Sequence, residues 1–114
     1  LGASHAVVVS LASKSVTTPI AMEVTQALGG IPSLTAAIVV ITGLIGAVVG
    51  FKIMSVGHIS NPMAKGLSMG AASHALGTSV AMDRDEFVGA YASLGLTLNG
   101  ILTALLTPSV VALL

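Results

Sequence analysis

Residues 15–23 read SVTTPIAME, so Ser15, Thr17 and Thr18 stand ahead of Pro19 and Glu23 follows four residues after the proline. Proline fixes φ near −65° and carries no N–H, which suits the first turn of a helix that Thr17 or Thr18 can cap. A helix beginning there meets Gly29-Gly30 after about ten residues, or roughly 15 Å, half a bilayer. Its unpaired N–H groups and positive dipole end favour an anion. The same residues also fit a proline kink in a continuous helix, with the neighbouring hydroxyls satisfying the freed backbone. Further along, GAASHALGTSVAM gathers Ser73, His74 and Thr78 between glycines, in a segment that opens on Asn61-Pro62, again a cap followed by proline. Backbone that unwinds at membrane depth must be buried in protein or line a cavity, so two such interruptions at similar depth point to one shared site.

The chemistry expected of that site is carboxylate binding. Ser15, Thr17, Thr18 and the N–H groups just after Pro19 would receive the carboxylate; Ser73, His74 and Thr78 would read the substrate's oxygen. In apolar surroundings a carboxyl holds its proton and an imidazole sheds one, which favours Glu23 as carrier of a coupling proton and His74 as a neutral hydrogen-bonding group. His74 also fits a packed contact between helices. Lys14 reads either as a side chain snorkelling to the interface or as a counter-ion for the substrate. Gly95, Asn99, Thr103 and Thr107 recur every four residues and draw one polar stripe on an apolar helix. Asn99 and Thr103 are accordingly expected to line a cavity or to bond between helices. No enzyme is expected: adjacent Ser73 and His74 point about 100° apart on a helix and cannot form a nucleophile–base pair, and no GxSxG elbow occurs. His5 and His58 lack nearby ligand partners, so neither a metal nor another cofactor is expected.

The elements that must position these residues follow from composition. Of 114 residues, 54% are hydrophobic and only 7% charged, with a mean hydropathy of +1.04. So few charges cannot cover a water-soluble surface, which makes this an integral membrane protein of the all-α class, a polytopic bundle with Pro- and Gly-interrupted, discontinuous helices. A net charge of zero gives nucleic acid no basic patch. Residues 31–51 and 87–107 carry no charge and are each long enough to span; residues 1–13 read as the tail of another span, and 66–82 as a fourth, broken block. Positive-inside counting places the loop between Lys52 and Lys65 in the cytoplasm and the DRDE cluster, Asp83 to Glu86, outside. Gly46 with Gly50, Gly66 with Gly70, and Gly89 with Ser93 and Thr97 mark faces where helices approach closely. The chain opens inside an apolar run without an initiator Met, as a fragment would, so residues 1–114 are expected to be one transmembrane domain with an upstream half missing.

KSVTTPIAMEVTQALGGIPSLTA, followed by GAASHALGTSVAM, resembles the C-terminal half of the LrgB/CidB membrane protein family over essentially the whole chain. Ser13 stands where the family usually has proline, and Ala71 or Ala72 where it usually has threonine. The resemblance implies a protein about twice as long, multi-pass in the bacterial inner (plasma) membrane. It also implies a homo-oligomer with a small holin-like partner of the LrgA/CidA type. Two functions are implied: antiholin-like modulation of murein hydrolases and autolysis, or carriage of small monocarboxylates such as glycolate, glycerate and pyruvate-like acids. Carriage explains a half-helix N-terminus better.

Overall fold

The computed structural model describes residues 4–113. It contains α1 (His5–Ala12), α2 (Thr18–Ala27), α3 (Pro32–Val56), α4 (Pro62–Arg84) and α5 (Glu86–Val111), with no strand among the described residues. The all-α bundle is therefore as expected. Among the described residues, α3 and α5 are the helices long and apolar enough to cross a membrane. Their 25 and 26 residues rise about 38 Å, against a bilayer core of about 30 Å. Ile41 and Val48 of α3, and Leu98, Ile101 and Leu105 of α5, stay exposed, as lipid-facing side chains do. Pro108 lies inside α5 rather than ending it. In the last turns of the helix, the bond lost at a proline is easily accommodated.

The other three helices form two hairpins. α1 ends at Ala12 and residues 13–17 are not helical. The Ile31 N–H donates to Ser10 Oγ at 2.7 Å, while Ser13 Oγ donates to the Ala21 carbonyl and bonds the Thr25 hydroxyl, each at 3.2 Å. Ser10 thus lies just past the end of α2 and Ser13 beside its middle, so the two run antiparallel. At the open end of this hairpin Gly29, at φ 81°, takes the left-handed position that closes α2, and Gly30 N–H donates back to the Thr25 carbonyl at 2.9 Å.

α4 hides the second hairpin. Inside it His74 has φ 42° and ψ −131°, far from helical values. Residues 62–73 run parallel to α5: Gly66 packs on Val88 and Tyr91, Gly70 on Ala92 and Leu96, and Asn99 bonds the Ala71 carbonyl. Residues 75–84 run the other way, with Thr78 beside the Ala92 carbonyl and Gly89 packed on Met82. The chain turns back on itself at His74.

That reversal corrects the expected topology. α3 brings the chain to one end of the bundle, α4 enters and leaves at that same end, and α5 starts there. Arg84 lies 4.3 Å over the Phe51 ring, and Lys65, Arg84 and Asp85 line one surface cleft. The lysine loop and the DRDE cluster therefore share an end instead of facing opposite sides. The DRDE cluster was placed opposite the lysine loop because block 66–82 was expected to cross, which it does not. The first hairpin enters from the opposite end, and the two tips meet near residues 39–46 of α3 and Asn99 of α5, the middles of both long helices.

Few apolar side chains are buried, in one small cluster near each hairpin: Val16, Ala21 and Val39; and Met54, Met69, Ala81, Val88 and Ala92. Hydroxyls do the rest. Thr25 and Thr35 share a 2.8 Å hydrogen bond, Thr35 Oγ1 donates to the Ser10 carbonyl at 2.8 Å, and Ser13 reaches Thr25. Where lipid supplies no hydrophobic drive between helices, such bonds and close packing hold them together.

Candidate functional site at the hairpin tips

The two tips are built differently. α2 begins at Thr18 with Pro19 in its first turn, and its N-cap Thr17 makes no side-chain capping bond, whereas Ser4, Asn61 and Asp85 each cap their helices. The half-helix predicted from Pro19 is observed, and its N-terminal N–H groups lie at mid-depth. At the other tip, His74 alone makes the turn. Its ring fits against Gly43, where any side chain would collide with it, and Ser73 sits in the same way on Gly46. His74 Nε2 lies 2.8 Å from the Val39 carbonyl. A carbonyl can only accept, so Nε2 carries the proton.

Asn99 ties the tips together. Its Nδ2 donates to the Ser15 carbonyl at 2.7 Å and to the Ala71 carbonyl at 2.8 Å. The first belongs to the gap between α1 and α2. The second lies one turn before His74, where the backbone reversal removes the usual i+4 donor. Beyond the break, Thr78 Oγ1 donates to the His74 carbonyl at 2.8 Å, four residues back on the return limb. Breaks at this depth are tolerated because neighbouring side chains supply the missing bonds.

Three cavities surround the tips. One of about 480 Å³ brings Thr17, Thr18 and Pro19 together with His74, against Val40 and Leu44. A second, about 410 Å³, brings Ser15 and Lys14 together with Ser73, against Thr42 and Gly46. A third, about 390 Å³, is lined by Asn99 and Thr103 with Ala12, Leu102 and Leu106. The residues singled out from the sequence are thus divided between adjacent cavities rather than gathered in one. Thr78 lines none of the three. Glu23 is exposed on α2, also outside them.

A model of the LrgB-like family matches residues 1–113. The chain belongs to the LrgB-like family. It is 43% identical over 110 residues to an uncharacterized protein of Haemophilus influenzae, covering 96% of this chain and 48% of that protein. It is 37% identical over 112 residues to the holin-like protein CidB of Staphylococcus aureus, covering 98% and 49%. The uncharacterized protein YxaC of Bacillus subtilis is 37% identical over 110 residues, covering 96% and 48%. The chain spans about half the length of these curated relatives. No solved structure matches it.

Sequence reasoning missed the backbone partners of the tips. The Val39 carbonyl leaves no trace in residue type, and Ser10, Ser13, Thr25 and Thr35 are dispersed over three elements that meet only after folding. The available signal was small hydroxyl residues inside apolar segments, which is too common to single out these four.

Proposed function

We propose that this chain is the C-terminal half of a secondary transporter of small monocarboxylates, glycolate-, glycerate- or pyruvate-like. The observation that carries this reading is the meeting of two oppositely entering hairpins at mid-depth, with the uncapped start of α2 and the imidazole of His74 on one cavity of about 480 Å³. Both return limbs begin at the tips, so two positive helix ends converge where an anion can sit, as in discontinuous-helix carriers generally. Thr17, Thr18 and the N–H groups of the first turn of α2 receive the carboxylate. Ser15 and Ser73 contribute hydroxyls from the neighbouring cavity, and Thr78 supports the backbone that presents His74. Glu23 is the proposed coupling-proton carrier, and Asn99 and Thr103 line the route on α5. The location is the bacterial inner membrane, and the assembly includes further copies of the chain and a small holin-like partner.

The test is uptake by the full-length protein in proteoliposomes. Saturable, stereoselective uptake and counterflow are expected, with Glu23→Gln losing proton-driven accumulation but keeping counterflow. The holin-like designation of the staphylococcal relatives favours a second reading, a membrane regulator of murein hydrolase activity and autolysis without transport of its own. Nonselective, nonsaturable leakage or no uptake at all supports that reading instead.

A further inference from the structure

The chain is a hairpin and a span, then a second hairpin and span entering from the other end. One fixed offset relates the two units in sequence: it carries TPIAME, Thr18 to Glu23, onto TSVAMD, Thr78 to Asp83, and Ser13-Lys14 onto Ser73-His74. The structure follows the same offset. Ser13 and Ser73 are 1% and 2% exposed, and Ala21 and Ala81 are both fully buried. Val39 of α3 accepts from His74; Asn99, its counterpart on α5, donates to Ser15, the neighbour of Lys14. The cavities obey it too: Ala12, Leu102, Leu106 and Val110 of one correspond to Ala72, Thr42, Gly46 and Gly50 of the other. The cavity on α3 extends from the tips toward the end that carries Gly57 and Asn61, and the one on α5 toward the opposite end. Such an inverted pair supplies two routes to one central site.

Lys14 is thereby placed at a tip. It stands level with Thr42 and Gly46, about 18 Å from either end of α3, too deep for a four-carbon stem to reach the interface. Its Nζ donates to Ser15 Oγ at 3.1 Å and it lines the cavity that also holds Ser73 and Ser68. The two equivalent positions have diverged: His74 is spent on a carbonyl, whereas Lys14 presents a charge to open space. A cation at mid-depth is costly unless an anion or function accompanies it. We propose that Lys14 takes over the substrate's carboxylate in the cavity on α3 as it passes from the start of α2 along the route toward the Gly57 end. This rests on the transporter reading and assigns its charged ligand.

The experiment compares glycolate uptake by full-length parent, Lys14→Arg and Lys14→Gln proteins in proteoliposomes. Loss of a charge-assisted bond raises KM for glycolate about tenfold or more in Lys14→Gln, while Lys14→Arg stays within a few-fold of the parent. Lys14→Cys in a cysteine-free background guards against a folding defect: uptake should return on modification with 2-aminoethyl methanethiosulfonate, which restores an ammonium, and not with the neutral methyl reagent. An unchanged KM in Lys14→Gln, or equal rescue by both reagents, overturns the assignment and leaves the transporter reading standing. Absence of glycolate, glycerate and pyruvate uptake by the parent overturns both.

Discussion

The two hairpins share a topology and differ at their tips. The first spreads its turn over residues 13–17 and leaves the start of α2 uncapped; the second reverses at His74 alone, in a backbone conformation that non-glycine residues rarely hold. One tip thus keeps free N–H donors at mid-depth, and the other stores strain of about 1–3 kcal/mol. The ring of His74, held by the Val39 carbonyl and seated on Gly43, is what stabilises the strained turn. An open tip can bind, and a locked tip can position. The difference explains why a histidine, not a glycine, occupies the tight turn.

Asn99 is common to both tips, so its loss should have the largest effect. Asn99→Leu removes the donors to Ser15 and Ala71 and leaves two carbonyls unsatisfied at about 1–3 kcal/mol each, within a similar volume. Thermal unfolding of the full-length protein in detergent should show destabilisation of about 2 kcal/mol or more, together with loss of uptake. Stability equal to the parent's would mean that the tips are held apart from Asn99.

At His74 the expected effect is intermediate and separates strain from chemistry. His74→Ala loses the ring and keeps the unfavourable φ, while His74→Gly loses the ring and relieves it. Both variants should bind glycolate more weakly. His74→Gly should nonetheless unfold at a higher temperature than His74→Ala, by a margin corresponding to about 1 kcal/mol. Equal stability of the two would contradict the strained turn.

How far the sequence revealed these tips depends on where the information lies. The first break was legible because Pro19, the hydroxyls before it and Gly29-Gly30 after it are local signals that need no partner. At the second, the interruption was legible in Ser73, His74, Gly77 and Thr78, but its form was not. A kink and a reversal differ only in which distant groups receive the freed backbone, here Asn99 for Ala71 and Val39 for the imidazole. That misjudged form propagated into the topology, since a segment assumed to cross placed Asp83 on the wrong side. Lys14 stayed ambiguous for a related reason, because its depth is set by the antiparallel return of α2.

Pro19 should show the smallest effect on stability. Pro19→Ala restores one N–H and lets α2 grow backward over Thr17, so unfolding should shift by less than about 0.5 kcal/mol while glycolate uptake falls several-fold. Normal uptake would reduce the proline to a tolerated feature of the turn and remove the reason for an open tip.

The most direct test of two hairpins entering from opposite ends is side-specific labelling of single cysteines in a cysteine-free full-length protein. Ser33, His58 and Asp83 are exposed near the ends of α3 and of the return limb of α4. With a membrane-impermeant thiol reagent applied to oriented vesicles, His58→Cys and Asp83→Cys should react from the same face, and Ser33→Cys from the other. If His58→Cys and Asp83→Cys label from opposite faces, α4 crosses the membrane and the meeting of the tips is contradicted.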